Sequence, residues 1–151
     1  MNIREIKPQE APMALLLLAD PEEHVIASYL PRSRCFVLEH EGRVAGVYVL
    51  LPTRPYTSEI VNIAVAEHLQ GNGFGKAMLA HAIQQARAIG SHTIEIGTGN
   101  SSIGQLYLYQ KCGFRITGVE LDFFTRHYQN PIYENGILCR DMLRLQQHIA
   151  P

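Results

Sequence analysis

The segment Gln70-Gly71-Asn72-Gly73-Phe74-Gly75-Lys76 places three glycines within five positions. It lies between an apolar run, Ile60–Ala66, and a helical pattern that begins near Phe74. Without side chains the backbone N–H groups are free to point outward, and the start of a helix adds unpaired donors and the positive end of its dipole. A diphosphate is the ligand such a backbone suits. A magnesium-nucleotide loop would need Gly-x-x-x-x-Gly-Lys followed by Ser or Thr. Here Ala77 follows Lys76 and Gln70 stands five before Gly75, so that loop is excluded. A dinucleotide fingerprint fails as well, because its third glycine position is Lys76 and the loop falls mid-chain. What remains is Gln-x-x-Gly-x-Gly, which taken alone would also serve a plain strand-to-helix turn.

A second pattern follows about thirty residues later, Leu108-Tyr109-Gln110-Lys111-Cys112-Gly113-Phe114. Together, and in this order, the two resemble the signatures of the GNAT superfamily of N-acetyltransferases. The resemblance covers Glu59–Phe114 by motif and most of the chain by order of elements. It implies an acetyl-CoA-dependent enzyme in which an amine attacks the thioester directly, in a ternary complex. It further implies that Gln70, Gly71, Asn72, Gly73, Gly75 and Lys76 surround the pyrophosphate of coenzyme A, and that the Val65 backbone pairs with the pantetheine amide. Tyr109 takes the place of the general acid. Glu59, in Glu59-Ile60-Val61, resembles the glutamate of histone-type acetyltransferases that removes the amine proton through water. One departure stands out: Ser102 and Gln105 occupy positions where family members usually carry Asn and Ala. Ser102 and Gln105 fit a helix capping box, while Asn100 is the nearest amide that could replace the missing one. Both Asn100 and Ser102 are kept as cofactor-side candidates.

The chemistry explains the interest in these residues. An alkyl ammonium, with a pKa of about 10.4, has no lone pair and must lose a proton before it can attack. A developing oxyanion needs donors aimed at it, and the leaving thiolate gains from a proton. On a helical wheel Ile103, Leu106, Tyr107 and Gln110 share one face, with Tyr107 a packing residue. Tyr109 falls at the edge near Ser102, Gln105 and Cys112, where a phenol reaches a cleft, although an amphipathic core Tyr would sit there too. Glu59 at the end of a buried strand could hold a raised pKa, or be an ordinary solvated carboxylate. Asn62 either binds substrate or satisfies a backbone group. The stretch Asp122–Tyr128 and Tyr133-Glu134-Asn135 would suit a cationic amine, and equally a loop packed on the sheet or a contact in a homodimer. The expected acceptor is a small or aminoglycoside-like primary amine. A protein or peptide amine is the alternative within the enzyme class, and a non-catalytic acyl-CoA sensor the rival outside it.

Positioning these groups requires a folded domain. The 151 residues suit one domain spanning residues 1–151, and 46% apolar content supplies its core. A formal net charge of −1 leaves no broad basic face for nucleic acid. Three unpaired-looking cysteines, Cys35, Cys112 and Cys139, point to reduced thiols in the cytoplasm, and the seven histidines show no metal-ligand spacing. The run Met13–Ala19 is too short to span a bilayer. Strands are expected at Asn2–Lys7, Arg34–His40, Arg43–Leu50, Glu59–Ala66, Thr93–Ile96, Phe114–Phe124 and Ile137–Leu145. Helices are expected at Pro8–Ala19, Pro21–Leu30, from Phe74 to Gly90, and at Ser102–Cys112. Glu41-Gly42 marks a hairpin, and Pro52 and Pro55 break the chain. The order gives an α/β fold with a mixed, mostly antiparallel central sheet flanked by helices. The resemblance adds that the fourth and fifth strands splay apart to admit the pantetheine arm.

Overall fold

Apolar side chains run almost unbroken through the middles of β2 (Arg34–His40) and β3 (Arg43–Arg54), so that both faces of these strands must be covered. A computed structural model describing residues 1–151 shows how. Cys35, Val37, Val47 and Val49 face α1 (Met13–Ala19) and α2 (Glu23–Tyr29), in a cluster with Leu16 and Ile26. Phe36, Leu38, Tyr48 and Leu50 face the opposite way, under Met78, Leu79, Ala82 and Ala86 of α3 (Phe74–Ala88) and Tyr109 of α4 (Ile103–Lys111). Glu41 and Gly42 join β2 to β3 with φ of 53° and 75°, the paired positive angles of a two-residue turn that matches the strand twist.

The sheet is completed by β1 (Asn2–Ile6), β4 (Thr57–Val65), β5 (Thr93–Gly99), β6 (Arg115–Glu120) and β9 (Met142–His148). Its order is β1-β2-β3-β4-β5-β9-β6, and only β4 and β5 run parallel. This is the mixed, mostly antiparallel α/β architecture expected from the element order. A short helix, α5 (Phe123–His127), and a small hairpin, β7 (Tyr133–Glu134) with β8 (Ile137–Leu138), lie between β6 and β9. No helix is long and apolar enough to cross a membrane.

Several boundaries differ from expectation, among them the strand expected at Thr93–Ile96, which runs on to Gly99, and the helix expected at Pro21–Leu30, which spans Glu23–Tyr29. Pro8–Glu10 forms a separate 3₁₀ turn, and the helix starts only at Met13, because Pro12 pushes Ala11 into an extended conformation. Pro52 lies inside β3, where the register with β4 slips and a missing N–H is tolerated. The strand after Phe114 ends at Glu120, since Asp122 adopts a φ of 61° and turns the chain into α5. The last strand is Met142–His148, while Ile137 and Leu138 pair with β7 instead.

One irregularity creates the site. In the β3–β4 register Leu50 faces Ile60 and Val49 faces Asn62, which leaves Val61 as the extra residue of a bulge. Pairing of β4 with β5 stops at the same place, at Ile60 and Ile96. Beyond it β5 stays with β9 as far as Gly99. Residues Val61–Val65 therefore have an edge with no neighbouring strand.

Candidate active site

The open edge of β4 ends at the glycine loop. Ala66 N–H donates to the Ala45 carbonyl on β3 at 2.8 Å. Backbone groups alternate sides along a strand, so the N–H and C=O of Val65 face the open edge. There the Val65 carbonyl accepts Gln70 Nε2 at 3.1 Å. Gly73 is the N-cap of the 15-residue helix α3 and has a φ of 81°, a left-handed conformation that glycine adopts without strain. Val65, Gly71, Gly73, Gly75, Lys76 and Leu108 line a cavity of about 550 Å³ above this edge. Gly75 lets α3 approach α4 closely, since a Cβ there would lie 3.3 Å from Leu108 Cδ2. A bare loop, a long helix start and one lysine fit an anionic diphosphate. Gln70 joins the same lining through its position, with its amide turned to Val65. Asn72 is outside it; its Nδ2 folds back onto the Leu69 carbonyl at 2.9 Å.

A second cavity, of about 250 Å³, lies on the far side of the split. The two share Leu18, Ala19, Ile63, Gln105 and Tyr109. Tyr109 is 4% exposed, and burial pushes its phenol well above the usual range, so it holds its proton at neutral pH. The inward face of α4 thus carries Ser102 and Tyr109. Ile103 and Tyr107, which the wheel put in the core, are 52% and 65% exposed. Tyr107 instead lies against the Lys111 ammonium. The apolar residues of α4 are spread around the helix, so periodicity is a weak guide to its orientation; Leu106, Leu108 and Tyr109 are the ones that pack on the core.

The smaller cavity is polar at two places. Asp20 Oδ2 accepts the Tyr29 hydroxyl at 2.9 Å, and its Oδ1 accepts that of Tyr128. Desolvation pushes the Asp20 carboxyl upward, against the two phenol hydrogen bonds. Asn62 Nδ2 donates to the Leu16 carbonyl at 3.0 Å and to Tyr29 Oη at 3.1 Å, whereas its Oδ1 has no partner. Elsewhere in the lining Glu134 Oε1 accepts Ser102 Oγ at 2.7 Å and Ser101 Oγ at 3.2 Å. Ser102 is the N-cap of α4, yet its hydroxyl makes no capping bond. The expected capping box is therefore absent, because Glu134 competes for the hydroxyl. Phe124 and Tyr128 also line this cavity, so part of the C-terminal aromatic stretch does reach it.

Besides Asn72, two more sequence candidates fall outside both linings. Asn100 Oδ1 accepts the N–H groups of Arg140 and Asp141 at 2.7 and 2.9 Å, and its Nδ2 donates to the Leu138 carbonyl at 3.1 Å. Those bonds clasp the end of β5 to the approach to β9. Glu59 lies 3.7 Å from Arg144 Nη1. Burial raises its carboxyl, and the nearby Arg144 opposes the rise. The residues that sequence reasoning missed are Asp20, Tyr29 and the role of Glu134 with Ser102. Asp20 closes a leucine-rich helix, and no local pattern marks an aspartate there as more than a helix end.

Residues 3–114 match the acetyltransferase (GNAT) family. The chain is 60% identical over 131 residues to the uncharacterized N-acetyltransferase YvbK of Bacillus subtilis (strain 168), covering 87% of this chain and 84% of that protein. It superposes on the solved IAA acetyltransferase from Bacillus cereus ATCC 14579 with a TM-score of 0.96 at 55% identity, over 97% of this chain and 98% of that one. A Bacillus subtilis acetyltransferase solved in complex with CoA gives a TM-score of 0.91 at 54% identity, over 97% of each chain.

Proposed function

Because the chain belongs to the acetyltransferase (GNAT) family, and is an N-acetyltransferase that uses acetyl-CoA, we propose that its acceptor is a small primary amine taken up beside Tyr109. The observation that carries this reading is the meeting of two unlike cavities at Tyr109. The larger one, with its glycine loop, suits a long anionic carrier. The smaller one, at about 250 Å³, is below the roughly 300–1,000 Å³ typical of sites for drug-sized ligands. On size an aminoglycoside ranks below a small amine. A peptide amine would have to thread a terminal group through the same opening, and ranks second.

Acetyl-CoA supplies the acetyl group: the amine nitrogen forms the C–N bond, the C–S bond breaks, and sulfur leaves with the electron pair. On this reading Gly71, Gly73, Gly75 and Lys76 hold the diphosphate, and the Val65 N–H takes a pantetheine carbonyl as another strand would. Tyr109 holds a proton at its hydroxyl and gives it to the departing sulfur. The acceptor ammonium loses one proton before attack and a second after it. One of these restores Tyr109 and the other reaches solvent. Glu59 would accept a proton only through water, since it is outside the lining; Asp20 and Glu134 are the carboxylates with direct access. The free thiols of Cys35, Cys112 and Cys139 suit a cytosolic setting.

The test is thiol release from acetyl-CoA across a panel of amines, alongside calorimetry with coenzyme A. Release that depends on a small amine is the expected outcome. Tight coenzyme A binding with release from no amine would instead favour a sensor that has lost its chemistry.

A further inference from the structure

We propose that the acceptor is a dication of the terminal diamine type, with the reacting amine at Asp20 and the second cationic group at Glu134. This rests on the small-amine reading above and narrows it to a chemical class.

Three independent observations converge. First, both carboxylates line the smaller cavity, and each is held by two neutral hydroxyls, Tyr29 and Tyr128 on Asp20, Ser101 and Ser102 on Glu134. Neither forms an ion pair, and no Lys, Arg or His lines the cavity. A partly desolvated carboxylate without a counter-charge is costly, so the positive charge is left for a ligand to bring. Second, Asn62 lines the same cavity and is 4% exposed, and its Oδ1 is the one buried side-chain polar atom in the chain with no hydrogen bond. The Leu16 carbonyl can only accept, so the amide cannot be flipped, and the orphan is an acceptor that needs a donor. An ammonium offers three N–H donors, enough for Asp20 and Asn62 together once the Asn62 side chain shifts to bring its closed-off Oδ1 to the cavity.

Third, the two carboxylates come from different walls of the cavity, Asp20 from the end of α1 and Glu134 from the β7–β8 hairpin. Asp20 directly follows Ala19, one of the residues that, like Tyr109, both cavities share, and this is the ground for assigning it the reacting amine. Glu134 is bonded to Ser102, the N-cap of α4, which precedes Tyr109 by seven residues, about 10 Å along the helix axis. Apolar Ile96, Ile132 and Met142 belong to the same lining, and methylenes match them. Phe124 and Tyr128 add ring faces for a cation. Asp20 orients the reacting ammonium and receives the proton it must shed before attack. Glu134 anchors the distal charge.

The experiment compares kcat/KM, by thiol release, for the terminal diaminobutane, the matching aminobutanol and n-butylamine. The diamine is expected to be preferred by about tenfold or more, the worth of one hydrogen-bonded charge, and the preference should shrink with added salt. Glu134→Gln should bring the diamine-to-butylamine ratio toward one, mainly through KM. Asp20→Asn should lower kcat for all three. The wild-type ratio decides the matter even if a variant fails to fold. Equal values for the three amines would overturn the dication and leave the small-amine reading standing. Release with none of them, while coenzyme A still binds, would overturn both.

Discussion

Gln70 Nε2 donates to the Val65 carbonyl at 3.1 Å, so the first residue of the glycine loop is tied to the strand end it follows. The bond spans the turn from β4 into the loop. It holds the Val65 edge and the loop backbone in one rigid relation, which two separate contacts to a long ligand require. Gln70 acts in this structure as a brace for the loop, a different use from contact with the phosphates.

Replacing Gln70 by Ala should therefore weaken coenzyme A binding through a looser loop. An exposed neutral hydrogen bond contributes about 0.5–1.5 kcal/mol, so calorimetry should read a severalfold rise in Kd. No change in Kd would remove the brace.

Gly73→Val tests the loop conformation itself. At a φ of 81° a branched side chain is strained by about 1–3 kcal/mol, although nothing lies within 4 Å of the added Cβ. Thermal unfolding should register the strain, and coenzyme A affinity should fall by tenfold or so with it. Wild-type affinity in a folded variant would contradict a backbone cradle.

Tyr109→Phe keeps the packing and removes the proton. Turnover should fall by about 10²–10⁴-fold, with the Kd for coenzyme A nearly unaltered. Full turnover at saturating amine would take Tyr109 out of the chemistry.

Asp20 should leave a mark on stability against pH. Burial holds its carboxyl above the ordinary 3.8, outweighing the hydrogen bonds from Tyr128 and Tyr29, with Glu22 adding to the rise and His24 opposing it. Between 3.8 and that raised value the folded protein binds more protons than the unfolded chain, so stability falls as pH climbs through the window and is level above it. Asp20→Asn should flatten this part of the profile, measured as Tm from acid to neutral pH. Identical slopes for the two proteins would show that the folded environment leaves Asp20 unshifted.

Much of the scaffold was legible from local pattern. The hairpin at Glu41-Gly42 forms where the turn residues put it, and the glycine loop does lead from a strand into a helix. Helix α4 shows where local reading stops. Its apolar stripe favoured Ile103 and Tyr107 as inward residues, yet the motif residue Tyr109 is the buried one. Apolar residues are spread around α4, and which of them pack on the core, Leu106, Leu108 and Tyr109, is set by partners distant in sequence. Ser102 and Asn100 were ambiguous for the same reason, because their partners, Glu134 and the 138–141 segment, lie some thirty to forty positions away.

The chain's own order of residues determined a strand, a bare loop and a helix start at 60–76, a backbone that suits a diphosphate. Those features depend on contacts between near neighbours. The polar cavity beside Tyr109 was decided only by tertiary structure. Asp20, Tyr29, Asn62 and Tyr128 come from an α1 terminus, α2, β4 and the end of α5, and meet only because β4 bulges at Val61 and parts from β5. A one-residue slip in that register would turn Asn62 away from Leu16 and Tyr29. No short window of sequence contains that constraint, since it arises from the pairing of whole strands.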